Sequence, residues 1–213
     1  MHQELRRLLP EATGSAQMVV AVFLDIRGFT RFTSTMESAE TAEFLRHIFL
    51  RITEEFYPDN EFFKLTGDGL VIIENLERRT VVETVNQSVE RSIDLVAAFP
   101  RLCDDDLMIN YPTPDDIGVG LARGVATALV SEGKILDYSG RPLNVAARML
   151  DVARPRGVVF HQSLDTRLID DAVLDRFQED DIYVKGVADE ATTRIYLTPD
   201  WTEVGEKFRT PFT

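Results

Sequence analysis

The segment Phe62-Phe63-Lys64-Leu65-Thr66-Gly67-Asp68-Gly69, followed by Leu70-Val71-Ile72-Ile73, constrains this chain more than any other. Two short apolar runs flank an Asp-Gly step, which is a strong hairpin signal. The turn also sets a lysine four residues before an aspartate. Upstream, the apolar run Met18 to Leu24 has the length of a strand and ends at a second aspartate, Asp25. If that strand lies beside the hairpin, Asp25 and Asp68 converge at one edge of a sheet. On its own, each aspartate also fits an ordinary turn or helix cap.

Helical spacing appears twice between the strand signals. Ala42, Leu45, Phe49, Ile52 and Phe56 mark a helix over 38–56. Val82, Val85, Val89, Ile93 and Val96 mark another over 79–98. Cys103 to Asp116 reads as a loop, and its Asp104-Asp105-Asp106 run as a solvated charge block rather than a metal site. Ile117–Arg123 and Val125–Val130 read as paired strands. Gly140-Arg141-Pro142 opens a third helix, with proline in its first turn, and that helix ends before Arg154-Pro155. Val158–His161 is expected as a strand and Leu164–Ile169 as a short helix. Ile182–Val184 and Thr193–Leu197 are expected as a last strand pair.

This order predicts an α+β fold with helices on a mostly antiparallel sheet. Its opening βαββαβ run is a ferredoxin-like core. Residues 1–17 are expected to form an N-terminal arm, 18–198 the domain, and 199–213 a C-terminal tail. At 213 residues the chain is long enough for one domain with a sizeable core.

A net charge of −13 argues against nucleic acid or an anionic membrane as partner. No apolar run approaches membrane-spanning length, and the first residues lack the apolar stretch of a secretory signal. The single cysteine, Cys103, excludes an internal disulfide framework, so a cytoplasmic location is expected. An anionic substrate would need local cations, from metal ions and a few placed Lys and Arg side chains.

The polar residues supply such a set. Hard carboxylate oxygens at Asp25 and Asp68 suit Mg²⁺ or Mn²⁺, with phosphate oxygens completing the shell. Gly28-Phe29-Thr30 follows Asp25, and a glycine there lets backbone N–H groups approach a phosphate. Thr30 or Thr33 fits a helix cap equally well. Asn144 and Arg148, four apart, share one helix face. Arginine suits a phosphoryl group in a charged transition state. Lys64 and Asp137 offer a donor and an acceptor, which match the edge of adenine or cytosine; uracil presents the reverse order. His2, His47 and His161 are scattered, with no metal spacing among them.

Taken together, these residues resemble the catalytic domain of the class III nucleotidyl cyclases, the adenylate and guanylate cyclases, from about residue 18 to 198. The resemblance implies that Asp25, Asp68 and the Ile26 backbone hold two divalent ions, Mn²⁺ or Mg²⁺. It implies base reading by Lys64 and Asp137, ribose orientation by Asn144 and transition-state stabilisation by Arg148. Lys185, in Val184-Lys185-Gly186, matches a late lysine that touches the triphosphate, near which Gly28, Phe29 and Thr30 would also lie. It further implies a head-to-tail homodimer with shared sites, metals from one chain and the other groups from its partner. The chain departs from the family at Tyr57-Pro58-Asp59-Asn60, where glycines are common, and at Arg141-Pro142, where small or acidic residues are common.

The run Leu136 to Asn144 and the free-standing length are most similar to the pyrimidine cyclases of Pycsar anti-phage systems. Those convert UTP or CTP to a cyclic nucleotide read by a separate effector. An adenylate cyclase, or an inactive cyclase-like nucleotide-binding module, are the alternatives. A diguanylate cyclase or polymerase-like palm also pairs carboxylates near a hairpin, but has no place for the Asn144/Arg148 helix.

Overall fold

The computed structural model describes residues 3–60, 62–77 and 79–212, with only the backbone at 3–5 and 189. Met1 and His2, at the start of the expected arm, therefore lie outside the described residues. A short helix α1 (Gln3–Leu8) leads into strand β1 (Thr13–Ile26). Helices α2 (Phe29–Thr33) and α3 (Ser38–Arg51) follow, then the hairpin of β2 (Phe63–Leu65) and β3 (Gly69–Asn75). Helix α4 (Val81–Ala98) precedes β4 (Ile117–Ser131), β5 (Lys134–Ser139) and helix α5 (Arg141–Val152). The chain closes with β6 (Gly157–His161), α6 (Asp171–Leu174), β7 (Gln178–Val184) and β8 (Ala188–Leu197).

All strands join one sheet in the order β2-β3-β1-β4-β6-β8-β7, with β5 on β4. The first four strands, in the order 2-3-1-4, form the expected ferredoxin-like core. β1 pairs antiparallel with both β3 and β4, whereas β4 and β6 run parallel. The α+β reading therefore holds.

Side chains on β1 alternate between two cores, as the two-residue period of a strand requires. Val20, Val22 and Leu24 face Phe44, Ile48, Val85 and Val89 of α3 and α4. Val19 and Ala21 face Val145, Ala146 and Met149 of α5. A strand buried on both faces reads as an unbroken apolar run, which is why Met18 to Leu24 stands out in the sequence. The preceding residues, Thr13 to Gln17, continue β1 as a largely exposed ribbon paired with Val130 to Ala126.

Two helix starts follow local chemistry. Thr80 Oγ1 accepts the Glu83 N–H at the start of α4. Glu37 and Glu40 form a reciprocal capping box on α3, which continues as one π-helical turn through Ile52–Phe56.

Three expected elements differ from those found. Ile117–Arg123 and Val125–Val130 are one strand, because Gly124 stays in the β1 ladder opposite Val19 rather than turning. The true partner is β5, joined through Glu132 and Gly133, both at positive φ (50° and 72°). That conformation suits a tight hairpin. Leu164–Ile169 is not a helix but part of two 3-10 turns, Gln162–Leu164 and Thr166–Leu168, separated at Asp165 with φ 64°. Residues 199–212 fold back: Glu203 N–H donates to Arg154 O at 2.7 Å, and Phe208 is buried in the α5 core. Asp105 and Asp106 of the acidic loop pair with Arg51 and His47 on α3. Among the described residues, no helix is long and apolar enough to cross a membrane.

Candidate active site

Asp25 and Asp68 reach neighbouring strand ends through backbone pairing. Asp25 lies opposite Gly69, and the Ile26 N–H donates to Asp68 O at 3.1 Å. Gly69 is required there, because a Cβ would stand 2.4 Å from Leu24 O. Burial pushes the Asp25 carboxyl above its ordinary pKa, Arg27 opposes this, and the Asp68 charge pushes it further up. A carboxylate whose ionisation is opposed by a neighbouring carboxylate suits a divalent cation. With the Ile26 backbone the two aspartates could offer an all-oxygen donor set of the kind Mg²⁺ and Mn²⁺ take. Among the described residues no cluster of three or more His, Cys, Asp or Glu could hold a metal. Two carboxylates and one backbone oxygen would leave the rest of such an ion's coordination to other oxygen donors. Next to the pair, Gly28 sits at φ 73°, and a Cβ added there would meet nothing within 4 Å, so its backbone is open to approach. Gly28, not a threonine side chain, is the N-cap of α2; Thr33 Oγ1 donates to Thr30 O instead.

Lys64 and Asp137 form a second group. Lys64 Nζ donates to Asp137 Oδ2 at 2.6 Å, although 73 residues separate them. β2 and β5 are not neighbours in the sheet; the β4–β5 hairpin carries Asp137 back across its face. The register shifts at Leu129/Val130, and such a bulge bends and twists a strand. Two contacts of Tyr138 fix the curl. Its hydroxyl donates to Gln17 Oε1 on β1, and its ring meets Phe62 edge-on at 4.9 Å. Asp137 thus lies within a strand.

Asn144 and Arg148 lie on α5, which packs tightly on β4. A Cβ at Gly120 would come within 2.2 Å of Leu150 N and 2.3 Å of Ala146 O. Arg148 is half-exposed and pairs with Asp151 at 3.4 Å on its own helix, not with either aspartate of the first group. Lys185 is exposed just beyond β7, the sheet edge opposite β2. The chain thus joins Asp25 to Asp68 and Lys64 to Asp137, and holds Arg148 and Lys185 apart from both pairs.

Sequence reading assigns no role to Arg27, which proves central. It is 8% exposed. Its Nη1 donates to Asp25 Oδ2 at 2.5 Å, and its Nη2 to Leu150 O and Ala153 O at 2.9 and 2.7 Å. The available signal is a guanidinium one residue past the end of a buried strand, where an unpaired charge is costly.

Solved structures share this architecture. The adenylyl cyclase CyaB from P. aeruginosa superposes with a TM-score of 0.69 at 17% identity, over 92% of this chain and 98% of that one. The guanylate cyclase domain of RhGC from Catenaria anguillulae, solved with GTP, gives a TM-score of 0.65 at 17% identity, over 90% and 100%. In sequence, the pH-sensitive adenylate cyclase MT1302 of Mycobacterium tuberculosis is 27% identical over 163 residues, 76% of this chain. The aligned region spans only 36% of that relative's length. The sequence profile described as the adenylate and guanylate cyclase catalytic domain matches residues 12–198, from the residue before β1 to the residue after β8. With that span covered, this chain belongs to the adenylate and guanylate cyclase catalytic domain family.

Proposed function

We propose that this protein is a nucleotide cyclase, converting a nucleoside triphosphate to its 3′,5′-cyclic monophosphate and pyrophosphate. The observation that carries the reading is the Lys64–Asp137 pair. Both side chains are nearly half exposed, so the ion pair adds little stability. It is a ready-made donor and acceptor, brought together by a strand that crosses the sheet face. A base edge exchanges for that contact: Lys64 donates and Asp137 accepts. Asn144 orients the ribose, and the Arg148 guanidinium stabilises the charge on the α-phosphoryl group. The ribose 3′-hydroxyl gives its proton to solvent as its oxygen bonds the α-phosphorus; the bond from that phosphorus to the α–β bridging oxygen breaks, and pyrophosphate leaves with that oxygen. Asp25, Asp68 and the Ile26 backbone would hold two divalent ions, whose chemistry is to acidify the 3′-hydroxyl and neutralise the triphosphate. Lys185 and the Gly28-Phe29-Thr30 backbone contribute further contacts to the phosphates.

The active form is a head-to-tail homodimer with two shared sites. Supporting this, Arg148 pairs with Asp151 on its own helix and is left for a partner's substrate. Within this reading the base is a pyrimidine, UTP or CTP, by the likeness of Leu136 to Asn144 to pyrimidine cyclases of anti-phage systems. The cyclic product is then a second messenger read by a separate effector. A different observation favours ATP: the curated relative is an adenylate cyclase.

Each NTP is supplied separately with Mn²⁺, and cyclic product and pyrophosphate are measured. Cyclic CMP or cyclic UMP is the expected product. Strong preference for ATP replaces the pyrimidine assignment with the adenylate one. Nucleotide binding with no turnover of any NTP overturns the cyclase reading in favour of an inactive binding module.

A further inference from the structure

We propose that Arg27 is a positioning residue that clamps the metal-binding end of β1 to the C-terminal end of α5. The inference rests on the shared-site reading above. In a head-to-tail dimer, the Asp25 of one chain serves one site while its Arg148 serves the other. One guanidinium then holds a carboxylate for the first site and the helix that reaches into the second, so the two sites are mechanically joined within each chain.

The geometry argues for this directly. The last carbonyls of a helix have no partners within it and carry the negative end of its dipole. Arg27 Nη2 donates to two carbonyls at that end of α5, Leu150 O and Ala153 O, while Nη1 holds Asp25. Only a rigid planar fork serves both sides at once; a lysine offers one point of charge. Space for the fork is made by Gly118, whose added Cβ would come within 2.0 Å of Nη2 and 2.6 Å of Cζ. Stability alone does not explain the arrangement. Arg27 Nε is buried without a hydrogen-bond partner. A buried ion pair is often replaced by apolar side chains at no loss of stability. What the arginine adds over a methionine of similar length is a fixed distance between β1 and α5.

The test uses heterodimers of differently tagged chains. The first chain carries Asp68→Ala and the second Arg148→Ala, leaving one complete site, with carboxylates from the second chain and guanidinium from the first. Arg27→Met is then added to the first chain, where Asp68 is already absent, the Asp25–Arg27 pair is still present and only the helix is lent. Turnover is expected to fall by about ten- to a hundred-fold, the size of effect seen when a catalytic group is misplaced by about 1 Å, with KM little changed. Unchanged turnover overturns the proposal.

The parent heterodimer is assayed first. If that dimer, confirmed by both tags, is inactive, the shared-site reading has failed, and the proposal with it, before position 27 is touched. Gly118→Ala guards against misfolding, since it displaces the fork without removing any functional group. In the metal-free protein it is expected to speed amide hydrogen exchange in the last turn of α5 more than in the other helices. Unaltered exchange there also overturns the proposal.

Discussion

Asp25 and Asp68 match in chemistry and differ in surroundings, so their removal has different consequences. Asp25→Ala leaves the buried Arg27 without its carboxylate and is expected to cost about 1–3 kcal/mol in denaturant unfolding. Asp68→Ala is expected to stay within about 1 kcal/mol, because the Asp68 hydrogen bond to Ile26 is made by its backbone. Both are expected to abolish metal-dependent turnover. Arg148→Ala is expected to lower kcat by about 10²–10³ with a small effect on KM, as for a lost transition-state donor. Equal turnover in mutant and parent would remove Arg148 from the mechanism. His161 has a structural role. Its Nδ1 accepts the Ser163 N–H and its Nε2 meets Thr193 Oγ1 at 2.9 Å, an arrangement that needs the neutral ring. Burial, aided by the Arg141 charge, lowers its pKa from 6.5 to about 4. Between those values the unfolded chain binds more protons, so stability falls as pH drops, by at most about 1.4 kcal/mol per pH unit. Melting curves above and below pH 6 should converge in His161→Gln.

At the scale of elements, the position of α5 decides whether Asn144 and Arg148 are useful. Gly120→Ala would press a methyl group into the backbone of that helix at Ala146 and Leu150. Overpacking of this kind costs about 1–3 kcal/mol. Activity measured well below the melting temperature should fall further than stability predicts, because the helix that carries Arg148 shifts as a body. A substitution that lowers the melting temperature but leaves kcat intact would separate helix placement from catalysis. The elements also differ in how far the sequence disclosed them. α3, the β2–β3 hairpin, α4 and α5 carry strong local signals and each formed close to its expected bounds, while the unbroken apolar run of β1 disclosed only its buried part. β5 has only weak patterning over Lys134 to Ser139, and its hairpin uses Glu132 at positive φ, an uncommon choice for a non-glycine residue. The exposed start of β1 was likewise invisible, since Thr13 to Gln17 have no core to face.

For the whole molecule, the arrangement predicts complementation. Mixing Asp25→Ala chains with Asn144→Ala chains should restore one site per heterodimer and part of the activity, although each homodimer is inert. Confirmed heterodimers with no recovery would contradict the shared site. The acidic surface, with net charge −13, gives no general attraction for a triphosphate, so activity should depend steeply on divalent cation concentration. By itself the sequence determined the α+β class, the ferredoxin-like strand order and the identities of the polar groups, because strand and helix periods and residue chemistry are local properties. Tertiary structure alone decided that β5 crosses back to set Asp137 against Lys64. It alone revealed that Arg27 spans from Asp25 to the end of α5. Both depend on strand curl and helix docking, which arise from packing between segments more than 70 residues apart.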